Sequence, residues 1–305
     1  MKRIIYLIGI LLTLIIGTYL YLKFCCCNQK IKEEVKEVIT ITEEEKKEPT
    51  ISFGVINANG TISVPLNNGV KFQKSNINFS APVSAELDNK INQLKNYLVS
   101  EEDKSLSITS YYMSDEINNS VFPNIGYARA VSFKNFISTR GIPTKLINIK
   151  GELSDSLEVD ENNNIKSPMK LSVGKSKDYS KLLESIIKDI ESNPLILNFE
   201  TGKTELTFNH DQRRKIVNIS TYLDKVENAF CLITGHTDNT GSIKRNIIIG
   251  KQRAEFIKEY FIKSGLQNNR IQTISKGEEE PIGNNNTKEG RAKNRRCTGI
   301  IDENK

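Results

Sequence analysis

Apolar positions divide the chain into an uncharged run, a charged gap and two patterned stretches. Ile4 to Leu22 is nineteen residues without a charge, rich in Ile and Leu, and a helix of that length crosses the hydrocarbon core of a bilayer. Lys30 to Pro49 follows with Glu and Lys runs that cannot bury a core, so it reads as a spacer, extended or loosely helical. The periodicities of folded elements begin beyond it. Cys231-Leu-Ile-Thr234 reads as a short buried strand, and Gly235 to Gly241 (Gly-His-Thr-Asp-Asn-Thr-Gly) as its end passing into a turn. Ser242 can cap a helix whose inward stripe is Ile247, Gly250, Ala254, Ile257 and Phe261. Met169 to Val173 reads as a strand. Ser180 to Glu191, with Leu182, Leu183, Ile186, Ile187 and Ile190, reads as an amphipathic helix.

This pattern places chemistry at one point. Asp238 falls at a strand's carboxyl end, and Arg253 lies fifteen residues on, beside the helical stripe. A turn and about two and a half helical turns separate them, so a helix packed back across the strand end brings both into one shallow pocket. A carboxylate and a planar donor fork would then stand together. The competing roles are local: an Asp in a turn serves backbone N–H groups, and an Arg on a helix flank is commonly solvated.

The stretch from about Leu195 to Ile301 resembles the OmpA-like peptidoglycan-binding domain, also found in MotB-type and peptidoglycan-associated lipoproteins. The resemblance rests on Asn198-Phe-Glu-Thr-Gly-Lys-Thr-Glu-Leu-Thr207, Gly235-His-Thr-Asp-Asn-Thr-Gly241, Arg253-Ala254, Gly265-Leu266, Arg270-Ile271, Gly277-Glu278, Pro281 and Asn286 to Arg296 with its Asn-Arg-Arg. It implies recognition of the diaminopimelate of the cell-wall stem peptide, Asp238 taking the ammonium and Arg253 the carboxylate. Thr240, Asn246 and Arg295 fall where the family places further polar contacts. Gly202 stands where some members carry an Asn, so that contact is expected to be missing. No cofactor or metal is implied.

Val70 to Val173 repeats this domain in degraded form. Lys71-Phe-Gln-Lys-Ser parallels Asn198-Phe-Glu-Thr-Gly, and Ser107-Ile-Thr-Ser parallels Leu232-Ile-Thr-Gly. Gly126-Tyr-Ala-Arg-Ala130 parallels Gly250-Lys-Gln-Arg-Ala254, and the same offset relates Phe133 to Ile257, Ile137 to Phe261 and Gly141 to Gly265. The pocket residues differ, since Tyr111 to Glu116 replaces His-Thr-Asp-Asn-Thr-Gly. Asp115 is the acid set against Arg129, one residue out of step, and no Asn-Arg-Arg follows. The copy reads as a spacer or partner surface.

The chain is therefore expected to be α+β: a transmembrane anchor over 1–27, a charged spacer over 28–50, a degenerate OmpA-like domain over 51–175 and an OmpA-like peptidoglycan-binding domain over 176–305. Each unit is expected to hold a four-stranded mixed sheet with helices on one face. An uncleaved anchor is favoured over a signal peptide, because no small-residue cleavage site follows the run, and Leu22-Lys-Phe-Cys25 is a poor lipobox. The net charge of +6 says little about partners. Lys2, Arg3, Lys23 and Lys30 stand without acids in residues 1–30 and supply most of it, and no nucleic-acid footprint is implied. Lys288 to Arg296 is a local basic cluster, read most simply as a solvated loop, with attraction to anionic wall polymers as the sharper alternative. Cys25-Cys26-Cys27 lacks metal-ligand spacing, leaving packing or interchain disulfides, while Cys231 and Cys297 read as core residues.

Three functions compete: a non-catalytic wall-binding tether of the cell envelope, an ion-driven stator, and a wall enzyme. A stator needs an intramembrane acid, and Ile4 to Leu22 has none. An enzyme needs a nucleophile beside a base or a metal site, and the two histidines, His210 and His236, have no such spacing. The expected partners are peptidoglycan, the membrane through the anchor, an envelope protein against the first unit and a second copy in a homodimer. The bulk of the chain is expected in the periplasm, with the inner membrane favoured. The second reading is a structural subunit of an envelope-spanning complex.

Overall fold

The structure is a computed structural model that describes residues 14, 16, 18–20, 50, 51, 53–66, 69–79, 83–199 and 207–303. The expected span and spacer lie outside the described residues, apart from helical positions between Leu14 and Leu20 and from Thr50 at the spacer's end; Gly202 lies outside them too. Among the described residues no helix is long and apolar enough to cross a membrane. Two compact units are present, Met1–Glu48 and Pro49–Lys305.

The second unit is mixed α+β. Strands β1 (Thr50–Ile51), β2 (Gly54–Ile56), β3 (Ile62–Val64) and β4 (Phe72–Gln73) precede helix α1 (Ala85–Ser100), strand β5 (Lys104–Tyr112) and helix α2 (Ile125–Ser138). Strands β6 (Ile147–Leu153), β7 (Asn164–Ile165) and β8 (Met169–Lys175) complete the first half. The second half runs α3 (Ser180–Ser192), β9 (Leu195–Asn198), α4 (His210–Lys225), β10 (Ala229–His236), α5 (Ile243–Lys263), β11 (Ile271–Gly277), α6 (Lys288–Asn294) and β12 (Arg296–Glu303). The helices begin where side chains satisfy free N–H groups. The Ser84, Asn124 and Ser242 side chains accept from the third residue on, and Asn209 with Gln212 closes a capping box at α4.

The second half has the strand order β11-β10-β12-β9. β10 lies parallel to β11 and antiparallel to β12, and β12 is antiparallel to β9. A parallel pair needs a crossover, and α5 supplies it. In the first half the order is β1-β2-β3-β8-β5-β6, so four strands were too few for that sheet. β1 and β2 extend it, because Thr50 to Val64 is rich in Ile, Val and Phe with turn residues between. Its inner four strands keep the connectivity of the second half: β5 parallel to β6 and antiparallel to β8, with β8 antiparallel to β3. Leu106 lies opposite Ile147 and Val173, as Cys231 lies opposite Ile271 and Ile301.

The halves share a core. Val121, Phe122, Ala128 and Val131 pack with Ile216, Ile219, Phe261 and Leu266, while Ala130, Phe133 and Ile137 of the same α2 face the first half's own core. A helix apolar on both sides is a buried one. Polar contacts close the seam. Arg213 donates to the Ser120 and Phe122 carbonyls, Tyr260 Oη to the Asn119 carbonyl at 3.1 Å, and the Val121 N–H to Ser264 Oγ at 3.3 Å. Lys134 Nζ sits 2.6 Å from the Asp224 carboxylate, both groups being largely buried.

Candidate functional site

The site lies where β10 ends and α5 crosses it. Gly235 and Gly250 let the two backbones meet: a Cβ on Gly235 would stand 1.8 Å from the Gly250 carbonyl oxygen, and one on Gly250 2.2 Å from Ser275 Oγ. One helical turn past this crossing, Arg253 reaches the strand end, where its Nη1 donates to the His236 carbonyl at 3.1 Å. The guanidinium lies 5.4 Å from the centre of the Phe199 ring, within cation–π range. Its other N–H groups make no hydrogen bond among the described residues. Burial is the main influence lowering its pKa, reinforced by Arg295 and opposed by Cys297 and Asp238.

Asp238 sits two residues past the His236 carbonyl. Its Oδ1 accepts the Thr240 N–H at 3.0 Å and its Oδ2 accepts Arg295 Nη1 at 2.9 Å. Burial raises its pKa, but the bonds from Arg295 and Thr240 outweigh burial and hold it below the ordinary carboxylate value. The site thus gathers one carboxylate and two guanidiniums.

The remaining sequence-derived residues divide by role. Thr240 is exposed, and its backbone contributes through Asp238. Asn246 is buried and donates to the Glu278 carboxylate, taking the inward place expected of Ile247. The Asn246–Glu278 bond and the Thr237 N–H to Gly277 carbonyl bond, at 2.8 Å, tie the start of α5 and the end of β10 to the Gly-Glu turn. The basic segment expected as a loop is the helix α6, capped by Thr287. Asn294 at its end accepts the Ile282 and Gly283 N–H groups, each at 2.8 Å, fixing the loop beside Arg295.

His236, 2% exposed, contacts Thr298 Oγ1 at 3.4 Å. Burial, then the Arg296 charge, lowers its pKa to about 4 against a weaker opposing pull from Glu280, so the ring is neutral at physiological pH. Six buried side-chain polar atoms among the described residues have no hydrogen-bond partner, and four belong to consecutive or neighbouring positions here: His236 Nδ1, Thr237 Oγ1, Arg295 Nε and Arg296 Nη1. Such atoms are costly to leave unsatisfied, so their concentration marks this strand end. Sequence reasoning missed the Asp238–Arg295 pair, for which spacing carries no signal, and the Phe199 ring, which it held only as part of a motif. Cys231 and Cys297 are buried and free. They lie on adjacent strands but opposite Ile301 and Gly235, and burial comes first in pushing both thiols up to about 12.

Residues 198–295 match the model of the OmpA family. The chain is 43% identical over 70 residues to the peptidoglycan-binding protein ArfA of Mycobacterium tuberculosis, a match covering 23% of this chain and 22% of that protein. It is 32% identical over 92 residues to the peptidoglycan-associated lipoprotein of Buchnera aphidicola, covering 30% of this chain and 53% of that one. The chain thus spans about a fifth of the first relative's length and about half of the second's. Among solved structures, the peptidoglycan-associated lipoprotein of Burkholderia pseudomallei aligns with a TM-score of 0.31 and 21% identity over 35% of this chain and 89% of that one.

Proposed function

We propose that the OmpA family domain at residues 198–295 binds peptidoglycan without catalysis, and that the chain tethers a membrane of the cell envelope to the wall. The ligand is the diaminopimelate of the stem peptide. Its carboxylate docks on the open donors of Arg253, and its ammonium completes the coordination of Asp238. A carboxylate carries about four lone-pair positions, so Asp238 has room for an ammonium beside Arg295 and Thr240. The observation that carries this reading is Arg253, a guanidinium with a single carbonyl partner among the described residues, set beside an oriented carboxylate.

The names of two relatives support peptidoglycan as the ligand. Thr240, Asn246 and Arg295 act indirectly in this reading: Thr240 and Arg295 aim Asp238, and Asn246 anchors the turn behind it. Residues 51–175 are read as a second OmpA-like unit, supported by the shared strand connectivity, and 176–305 as the wall-binding one.

The test is sedimentation of the full chain with purified sacculi, since the two halves share a core. Wild type is expected in the pellet, and Asp238→Asn and Arg253→Lys in the supernatant with unchanged melting curves. Wild type left in solution overturns the reading. It would favour the alternative, a structural subunit of an envelope-spanning complex whose OmpA-like unit contacts protein.

A further inference from the structure

The first half contains a counterpart of the Arg253 site, and that counterpart is full. Arg129 stands three residues past Gly126, as Arg253 stands three past Gly250. A Cβ on Gly126 would meet the Ser110 carbonyl oxygen at 2.7 Å and Gly151 Cα at 3.3 Å, so α2 crosses β5 and β6 where α5 crosses β10 and β11. Arg129 Nη1 donates to the Tyr111 carbonyl at 3.4 Å, the strand-end position that His236 holds for Arg253. The Arg129 guanidinium lies 5.5 Å from the Phe72 ring centre, against 5.4 Å for Arg253 and Phe199. Strand-end carbonyl, ring and helix crossing all agree.

The two guanidiniums differ in what completes them. Arg129 makes five hydrogen bonds: to the carbonyls of Asn76, Gln73 and Tyr111 and, through Nη1 and Nη2, to both oxygens of Glu116. That number equals its donor count. Both side chains of the Arg129–Glu116 pair are fully buried, and the Ser75 and Met113 N–H groups donate to the same carboxylate at 2.8 and 2.9 Å. Glu116, and not the Asp115 suggested by spacing, is the acid at Arg129; Asp115 instead pairs with Lys74.

We propose that Glu116 is a built-in ligand: its carboxylate holds, against Arg129, the place that a bound carboxylate takes against Arg253. The proposal rests on Arg253 being the carboxylate dock of the wall-binding site. In the second half the loop after the strand, Asn239 to Ser242, is exposed and free to meet a ligand. In the first half the internal carboxylate pins the corresponding loop through Met113 and ties it to Ser75, just past β4. The chain then continues into Asn119–Phe122, whose backbone docks on Arg213, Tyr260 and Ser264. A ligand loop has become an internal joint. Met113, which stands where the second half has Asp238, offers no anion for an ammonium.

The test is the melting temperature of the full chain and its Glu116→Ala variant in sodium formate or acetate against sodium chloride of equal ionic strength. Removing one partner of a buried pair is expected to lower the melting temperature by roughly 10 °C. Formate is expected to recover much of that loss saturably, raising the variant far more than wild type, in which Arg129 is already filled by Glu116. A variant that melts like wild type, or one that formate does not restore, overturns the proposal. Should Glu116→Ala not fold, wild type decides: the Arg129 Nε–H resonance is expected to stay unmoved on titration with a diaminopimelate muropeptide, and a shift there overturns closure. The formate result does not depend on wall binding, so failure of the sacculus experiment leaves it intact.

Discussion

Arg295 Nη1 stands 2.9 Å from Asp238 Oδ2, so the carboxylate at the end of β10 is aimed by a cation from the far end of α6. The pair is partly shielded from solvent, and a Thr240 N–H holds the other oxygen. Arg295 orients; it does not fill the site. Arg295→Gln, which keeps one donor and loses the charge, is expected to weaken retention on sacculi about fivefold, since a charge-assisted bond contributes about 1 kcal/mol more than a neutral one. Unchanged or tighter retention would show Arg295 to be a competitor for Asp238.

Arg253→Lys preserves the charge but not the fork. Titration with a diaminopimelate muropeptide is expected to show at least tenfold weaker binding, because bidentate recognition contributes roughly 1.5–3 kcal/mol. Affinity within twofold of wild type would mean that the carboxylate docks elsewhere.

The glycine pair at the crossing predicts a sharp contrast. Gly235→Ala is expected to cost about 2–4 kcal/mol in denaturant unfolding and to abolish sacculus binding, because its Cβ would fall on backbone. Gly60→Ala, with φ of +76° and no neighbour within 4 Å of the new Cβ, is expected to cost about 1 kcal/mol and leave binding alone. Equal effects at the two positions would refute the close approach.

His236 gives a pH dependence of known sign. Its folded pKa of about 4 lies below the unfolded value near 6.5, so the unfolded state binds more protons between them. Stability is whole above about pH 6.5 and is lost as pH falls toward 4, by on the order of 2 kcal/mol after solvent screening. His236→Asn is expected to remove that part of the slope. Parallel stability curves for the two proteins over this window would refute it.

The seam between the halves predicts one unfolding transition. Lys134→Met strands the Asp224 carboxylate and is expected to cost about 3 kcal/mol, with both halves still melting together. Adding Asp224→Leu is expected to restore much of the loss. Two separate transitions in wild type would contradict the shared core.

Where one period governed, the sequence was readable. The stripe from Gly250 to Phe261 defines α5, the apolar run at Cys231 defines β10, and the cap Ser242 marks the start of α5. The outer strands β1 and β2 were missed because they are short and make up an edge of the sheet. Asn246 displaced Ile247 from the inward position because a buried acceptor, Glu278, awaits it, and helical periodicity carries no record of such a partner. Spacing could set Asp238 and Arg253 near one strand end, and the family resemblance singled them out. Arg295 and Glu116 could not be paired with their partners, since each pair is made by chain folding that spacing leaves open.

The doubly buried α2 has a mechanical consequence. Its one side packs against Ile108 and Leu106 of the first sheet and its other against Phe261 and Leu266 of the second half. A load taken up at the end of β10 therefore enters the first half through a helix held on both flanks. If the domain grips the wall, that grip and the first half move as one stiff link, and any slack in the tether has to come from outside this pair.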